Sequence, residues 1–263
     1  MSHGPRAPVT LLVLVALVNG CSANASPSGS PAPAGSASAE ASATIAAASP
    51  TATASPAASL TVPPGFEDWS FVNGDGAELA GSPAAFTLVL RHRLLWFMGS
   101  RGFLMYRLVS GNFRVTAHVT ATKTSDPSQP AGGNGSVQLG GLMVRNGDSA
   151  TQNYVHIVVG DDGDGPSVET KSTTNSVSVW AGPAWSATGA DLRICRIGPR
   201  LGLYKRPMAG DRWSQAASYR RDDFPASVQV GVDLYTNAEP DITIVVEGFT
   251  VEAVTSQTAC TGA

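Results

Sequence analysis

From residue 113 the chain alternates without a break: Phe113, Val115, Ala117 and Val119 fall on one side of an extended backbone, Arg114, Thr116, His118 and Thr120 on the other. A period of two held over eight residues predicts a strand with one face in a core and the other in water. The same period returns where Val155, Ile157 and Val159 oppose Tyr154, His156 and Val158, in Val228, Val230, Val232 and Leu234, and in Ile242, Ile244 and Val246. No stretch of the sequence sustains a helical period. The runs are separated by Asn73-Gly74-Asp75-Gly76, Ser110-Gly111-Asn112, residues 132–135, residues 161–165 and Ile197-Gly198-Pro199, all rich in turn formers. About a dozen strands with hairpin-length links predict an all-β fold, a two-sheet antiparallel β-sandwich. The sequence has no internal repeat.

Ahead of residue 63 the pattern is different. Arg6 precedes about ten apolar positions at 9–18, and the run Leu17-Val18-Asn19-Gly20-Cys21 closes them. That length suits a secretory leader and falls short of the ~20 residues that span a bilayer. Residues 1–20 therefore read as a bacterial lipoprotein signal peptide, with Cys21 as the lipidated residue. Of the 41 residues at 22–62, 36 are Ala, Ser, Pro, Thr or Gly, the only charge is Glu40, and the large apolar side chains are Ile45, Leu60 and Val62. Such a segment cannot offset its ordering entropy by burial, so 21–62 reads as lipidated Cys and disordered linker, with a span of ~35 Å. The division expected is thus 1–20 leader, 21–62 linker and 63–263 β-sandwich, anchored to the bacterial cell envelope with the domain on the outer side of the membrane.

Charge narrows the partners. Removing residues 1–20 takes one arginine, Arg6, from the 17 Lys and Arg, leaving 16 against 20 Asp and Glu, a formal charge of −4. The arginines are scattered, and Arg220-Arg221 is followed at once by Asp222-Asp223. No nucleic-acid footprint is present. With Cys21 assigned to lipid, Cys195 and Cys260 remain as an even pair in an oxidising compartment, which favours a disulfide; the alternative is two free thiols farther apart than the ~7 Å Cα limit. Alternation in the strand around Cys195 places Leu192 and Ile194 inward and Arg193 and Cys195 outward, where the C-terminal tail could cover them.

Read together, Leu104 to Val119, the run Gly141-Leu142-Met143-Val144-Arg145 followed by Asn153-Tyr154-Val155-His156, the segment Leu192-Arg193-Ile194-Cys195-Arg196 and the strand from Ile242 to Val251 resemble the bacterial DUF1349 group. That group belongs to the concanavalin A-like lectin/glucanase superfamily. The resemblance covers nearly the whole domain and implies a jelly roll of two curved sheets, whose concave face binds carbohydrate in many superfamily members. It implies no activity, since a fold does not fix a function.

Catalytic patterns are missing from the sequence. Glucanases of this fold carry Glu-x-Asp-x-x-Glu on one strand, and no such run occurs; Glu247 and Glu252 are five apart and so expected on opposite faces. There is no Gly-x-Ser-x-Gly, and His92, His118 and His156 stand at no metal-ligand spacing from another His or Cys. Asp161-Asp162-Gly163-Asp164-Gly165 lacks the remaining ligands of a calcium loop and reads better as a hairpin turn, with a structural calcium ion as the alternative; no other metal or cofactor is expected.

Aromatic side chains remain, because sugars stack on flat rings while amides, carboxylates and arginine fix their hydroxyls. Trp69 and Trp96 sit among apolar neighbours and read as core, whereas Trp180 and Trp185 flank Ala181-Gly182-Pro183-Ala184, an expected loop. Tyr154 and His156, with Arg145 ending the preceding strand and Glu169 and Lys171 across a short hairpin, are expected to share an outward face as a shallow, open groove. The candidate ligand-binding set is Arg145, Tyr154, His156, Glu169, Lys171, Trp180 and Trp185. The expected function is a surface-tethered, non-catalytic carbohydrate-binding module; the alternatives are a glycoside-active enzyme with carboxylates from different strands, or an envelope protein-interaction domain.

Overall fold

The computed structural model describes residues 61–262. The leader at 1–20, Cys21 and the linker up to residue 60 lie outside the described residues, with the expectations attached to them. The described residues form an antiparallel sandwich of two seven-stranded sheets, a jelly roll. The first sheet runs, in spatial order, β1 (Ser70–Val72), β4 (Phe103–Ser110), β13 (Ser227–Thr236), β6 (Val137–Arg145), β7 (Tyr154–Asp162), β8 (Pro166–Thr174) and β9 (Val177–Ala181). The second runs β12 (Ser214–Arg220), β11 (Arg200–Arg206), β10 (Gly189–Ile197), β5 (Phe113–Thr122), β14 (Thr243–Ala253), β3 (Ala85–Leu90) and β2 (Ala77–Ser82).

Strict alternation produces the sandwich core. In β5 every second residue is buried, and Phe113, Val115, Ala117 and Val119 pack with Leu142 and Val144 of β6, Val155, Ile157 and Val159 of β7, and Val228 to Leu234 of β13. Each fully buried Val, Leu or Ile contributes roughly 1.5–3 kcal/mol against exposure. Five strands, β6, β7, β8, β10 and β13, are buried along almost their whole length although half of each is polar or mixed. Their second faces are covered by chain that the periodicity of the strands does not announce.

On the second sheet the cover is the C-terminal tail. Cys195 and Cys260 form a disulfide with Cα atoms 5.6 Å apart, and Arg193 donates to the carbonyls of Cys260 and Gly262. Trp213 lies against the guanidinium groups of Arg193 and Arg206, at 4.0 and 4.3 Å. The Arg220-Arg221 charge is cancelled locally as the sequence suggests, by Asp222 and Asp223.

One expectation about this sheet is corrected. The pairing of β14 with β5 shifts register between Glu247 and Thr250, around Gly248 at φ 62°. This bulge adds one residue, so Glu247 faces His118, Glu252 faces Arg114, and both glutamates lie on the outward side. They do not make a catalytic pair: Glu252 is bound to Arg114, and four residues of β5 separate the two partners, about 13 Å along a strand.

Candidate functional site

The outward face of the first sheet collects most of the residues singled out above. In β7 the side chains opposite Val155, Ile157 and Val159 are Tyr154, His156 and Val158; β8 contributes Glu169 and Lys171, with His156 paired to Lys171 and Val158 to Glu169. From β13 come Asp233 and Tyr235, on the side away from Val232 and Leu234. The expected groove was shallow and open, and here the structure differs. Arg145, Tyr154, His156, Glu169 and Lys171 are all buried, because residues 91–102, between β3 and β4, cross this face and seat Trp96 on it. Trp96 is fully buried, donates its indole N–H to the Phe103 carbonyl at 2.9 Å, meets the Tyr154 ring edge to face at 5.2 Å, and lies under the Arg145 guanidinium at 5.8 Å. Gly102 makes room for it: a Cβ there would fall 2.4 Å from the indole Cδ1. Trp96 thus belongs to a second apolar cluster and not to the sandwich interior.

Beneath this cover lies a chain of ionisable groups. His156 stands between two carboxylates, Nδ1 2.8 Å from Asp233 Oδ2 and Nε2 3.2 Å from Glu169 Oε1, with its ring stacked on Tyr235 at 5.5 Å. Lys171 Nζ donates to Glu169 Oε1 at 2.9 Å, to the Trp96 carbonyl at 3.0 Å and to the Tyr235 hydroxyl at 3.3 Å. Tyr235 in turn donates to Glu169 Oε1 at 2.8 Å. Burial alone would raise the Glu169 carboxyl; the His156 hydrogen bond and the Lys171 charge overcome it and hold the group at about 2. Burial, reinforced by the Glu169 charge, pushes the Tyr235 phenol upward, and burial raises Tyr154 as well. Among the described residues, three buried polar atoms here have no hydrogen-bond partner: Asp233 Oδ1, the Tyr154 hydroxyl and Arg145 Nε.

The Glu169 shift has a measurable consequence. A carboxyl lowered from 4.5 to about 2 stabilises the fold fully above pH 4.5 and loses that contribution as pH falls toward 2. The difference corresponds to roughly 3 kcal/mol. Urea unfolding of the wild type and of Glu169→Gln should show a stability gap at about pH 7 that shrinks to below about 1 kcal/mol at about pH 2.5. A gap of constant size across that range would contradict the assignment.

The network meets solvent in a pocket. Glu169, Lys171 and Tyr235 form the floor of a pocket of about 220 Å³, with Leu95, Phe97 and Val137 along one side and Trp180, Asp162 and Asn237 at the rim. Trp180 is 56 % exposed and meets Phe97 edge to face at 5.4 Å, so an indole face is presented to solvent beside the floor. Among the described residues, all three donors to Glu169 converge on Oε1, and none reaches Oε2. The floor therefore offers an ionised acceptor held at a fixed place, next to an aromatic wall.

The structure brings Glu169, Lys171 and Trp180 to the pocket and leaves the other candidates outside it. Tyr154 and His156 lie beneath Trp96 and act on the pocket through the network; Arg145 is held by Gln229 and Gln152. Trp185 donates to the Gly189 carbonyl, carries Lys205 on its ring at 4.6 Å and packs on the sandwich core. Trp180 sits in β9 and not in a loop. Sequence reasoning missed Phe97, Asp162, Asp233, Tyr235 and Asn237. Asp233 and Tyr235 were accessible to it, since they alternate with the apolar positions of β13; nothing in residues 91–102 marks Phe97 as a wall. In the turn at 161–165, Asp161 accepts from the backbone N–H groups of Gly163, Gly165 and Gly133, which fastens a hairpin. Among the described residues no group of three or more His, Cys, Asp or Glu is placed to hold a metal ion.

No family model matches the chain, and no curated protein matches it. Solved structures do resemble it. A functionally unknown protein from Saccharomyces cerevisiae is 12 % identical with a TM-score of 0.61, over 73 % of this chain and 99 % of that one. The GH43 BlXynB protein from Bacillus licheniformis is 13 % identical with a TM-score of 0.52, over 71 % of this chain and 37 % of that one. The metal-free lectin I-B4 from Griffonia simplicifolia is 15 % identical with a TM-score of 0.45, over 70 % and 93 %. The chain spans little more than a third of the Bacillus protein. At these identities likeness shows the fold alone, an antiparallel two-sheet sandwich.

Proposed function

We propose that this domain binds carbohydrate without turning it over, and that the chain presents it at a bacterial cell envelope from a lipid on Cys21 and a soft linker, as a member of the DUF1349 group. The observation that carries the binding function is the pairing of the exposed Trp180 face with the fixed Glu169 carboxylate in one pocket: a ring for a sugar's C–H face and an acceptor for its hydroxyls. The sandwich fold, shared with part of a GH43 protein, suits this role. No cofactor is required.

One feature favours binding over hydrolysis. A glycosidase needs one carboxyl that stays protonated to act as the acid, whereas Glu169 is held ionised far below neutrality. A glycan array probed with the full chain, its fold checked by circular dichroism, should return at least one saccharide class. Trp180→Ala should weaken that binding at least tenfold, roughly 1.4 kcal/mol, with little change in unfolding midpoint. A folded protein that binds no saccharide, or a variant that binds as well as the wild type, would refute the proposal.

A further inference from the structure

The hydrogen-bonding groups left open in the pocket are unequal in sign. Lys171 carries three N–H bonds and all three have partners. The Tyr235 proton is directed to Glu169. Asn237 accepts from the Val137 N–H through Oδ1, which leaves its Nδ2 as the open donor at the rim. Against that amide and the Trp180 indole N–H, both neutral, stand Glu169 Oε2, on a side chain 5 % exposed, and the Asp162 carboxylate. Asp162 Oδ1 accepts from the Asp164 N–H, while Oδ2 lies over Gly182, where a Cβ would fall 2.0 Å away; no donor among the described residues reaches it. The adjoining hollow shares Asp162 and adds Asp164. The Glu169 and Lys171 charges cancel, so the opening as a whole is anionic.

Aromatic faces next to the uncancelled Asp162 carboxylate and the open Glu169 Oε2 favour a cation, since a ring face attracts positive charge and a buried acceptor strengthens with it. Resting on the carbohydrate-binding function proposed above, we infer that the pocket selects sugars bearing a free, protonated amine, a non-acetylated hexosamine unit, over N-acetylated or acidic ones. The ammonium lies between Glu169 Oε2 and Asp162, and the sugar's C–H face lies on Trp180. A uronate or sulfated sugar would bring its anion against both carboxylates.

Calorimetric titration of the full chain with a β-1,4-linked glucosamine tetramer, its N-acetylated counterpart and a galacturonate tetramer, at about pH 5.5 where amine and carboxylates are both charged, tests this. The expected result is at least about tenfold tighter binding of the amine tetramer than of the acetylated one, and none of the galacturonate. Asp162→Asn should reduce the preference below about threefold, while Asp68→Asn, an equal loss of charge outside the pocket, should leave it intact. Equal or tighter binding of the acetylated tetramer, or a preference that survives Asp162→Asn, would overturn the inference and leave carbohydrate binding standing. Failure of every saccharide, here and on the array, would overturn both.

Discussion

Lys171→Met should cost the fold about 3–5 kcal/mol, the largest single effect expected among the charged positions. The loss follows from what methionine leaves behind: Glu169 loses one of its three donors, the Trp96 carbonyl loses the Lys171 donor, and a carboxylate 5 % exposed is stripped of its ammonium partner. Breaking one side of a buried pair is costly because the other charge stays in place. The size matters, since a domain has only about 5–15 kcal/mol to lose. The double variant Lys171→Met, Glu169→Gln should recover a substantial part of the loss, because both charges are then absent. Urea midpoints of the wild type, the two single variants and the double variant measure the coupling; a single-variant loss below about 1 kcal/mol would mean that the pair is solvated.

Trp96→Ala should destabilise by a similar amount, about 3–5 kcal/mol, by removing a fully buried indole that roofs the network. Part of that is the cavity left over Tyr154, and part is the Phe103 carbonyl losing its donor. Trp96→Phe separates the two: it retains most of the packing and should lose only about 1–2 kcal/mol. Amide exchange should also report the change locally, with faster exchange along β7 and β13 than along β5, which lies in the other sheet. Uniform acceleration throughout the sandwich would indicate that Trp96 supports the whole fold and not this face.

The contrast between β5 and β7 shows how much could be read from sequence. Both alternate, and alternation correctly placed Val115 and Val155 in one core. It also predicted water beyond Thr116 and beyond His156, and only the first is half-exposed. Periodicity reports which side a residue points to; it does not report what lies on that side. His156 is covered by residues 91–102, a segment with no regular period, and its burial is tolerated because Asp233 and Glu169 flank it. The same limit explains Glu247 and Glu252: a parity count assumes an unbroken ladder, and one inserted residue at Gly248 reverses it. Cys195 fared better because two independent cues, outward parity and an even pair, agreed on the bridge to Cys260. In the site, Glu169 and Lys171 could be found by hairpin register alone, while the wall that makes them a pocket, Phe97 against Trp180, is a long-range contact without a sequence signal.

The tryptophans report directly on where the proposed saccharide site lies. The chain contains five, of which Trp69 and Trp96 are buried, Trp185 and Trp213 are partly covered, and Trp180 stands at the pocket. Nitrogen-15 labelled full-length protein titrated with the saccharide selected on the array, with the Trp180 signal assigned by Trp180→Phe, should show the Trp180 indole N–H resonance moving to saturation while those of Trp69 and Trp213 stay in place. Movement of Trp213 in its stead, or saturable binding with Trp180 unmoved, would contradict the site.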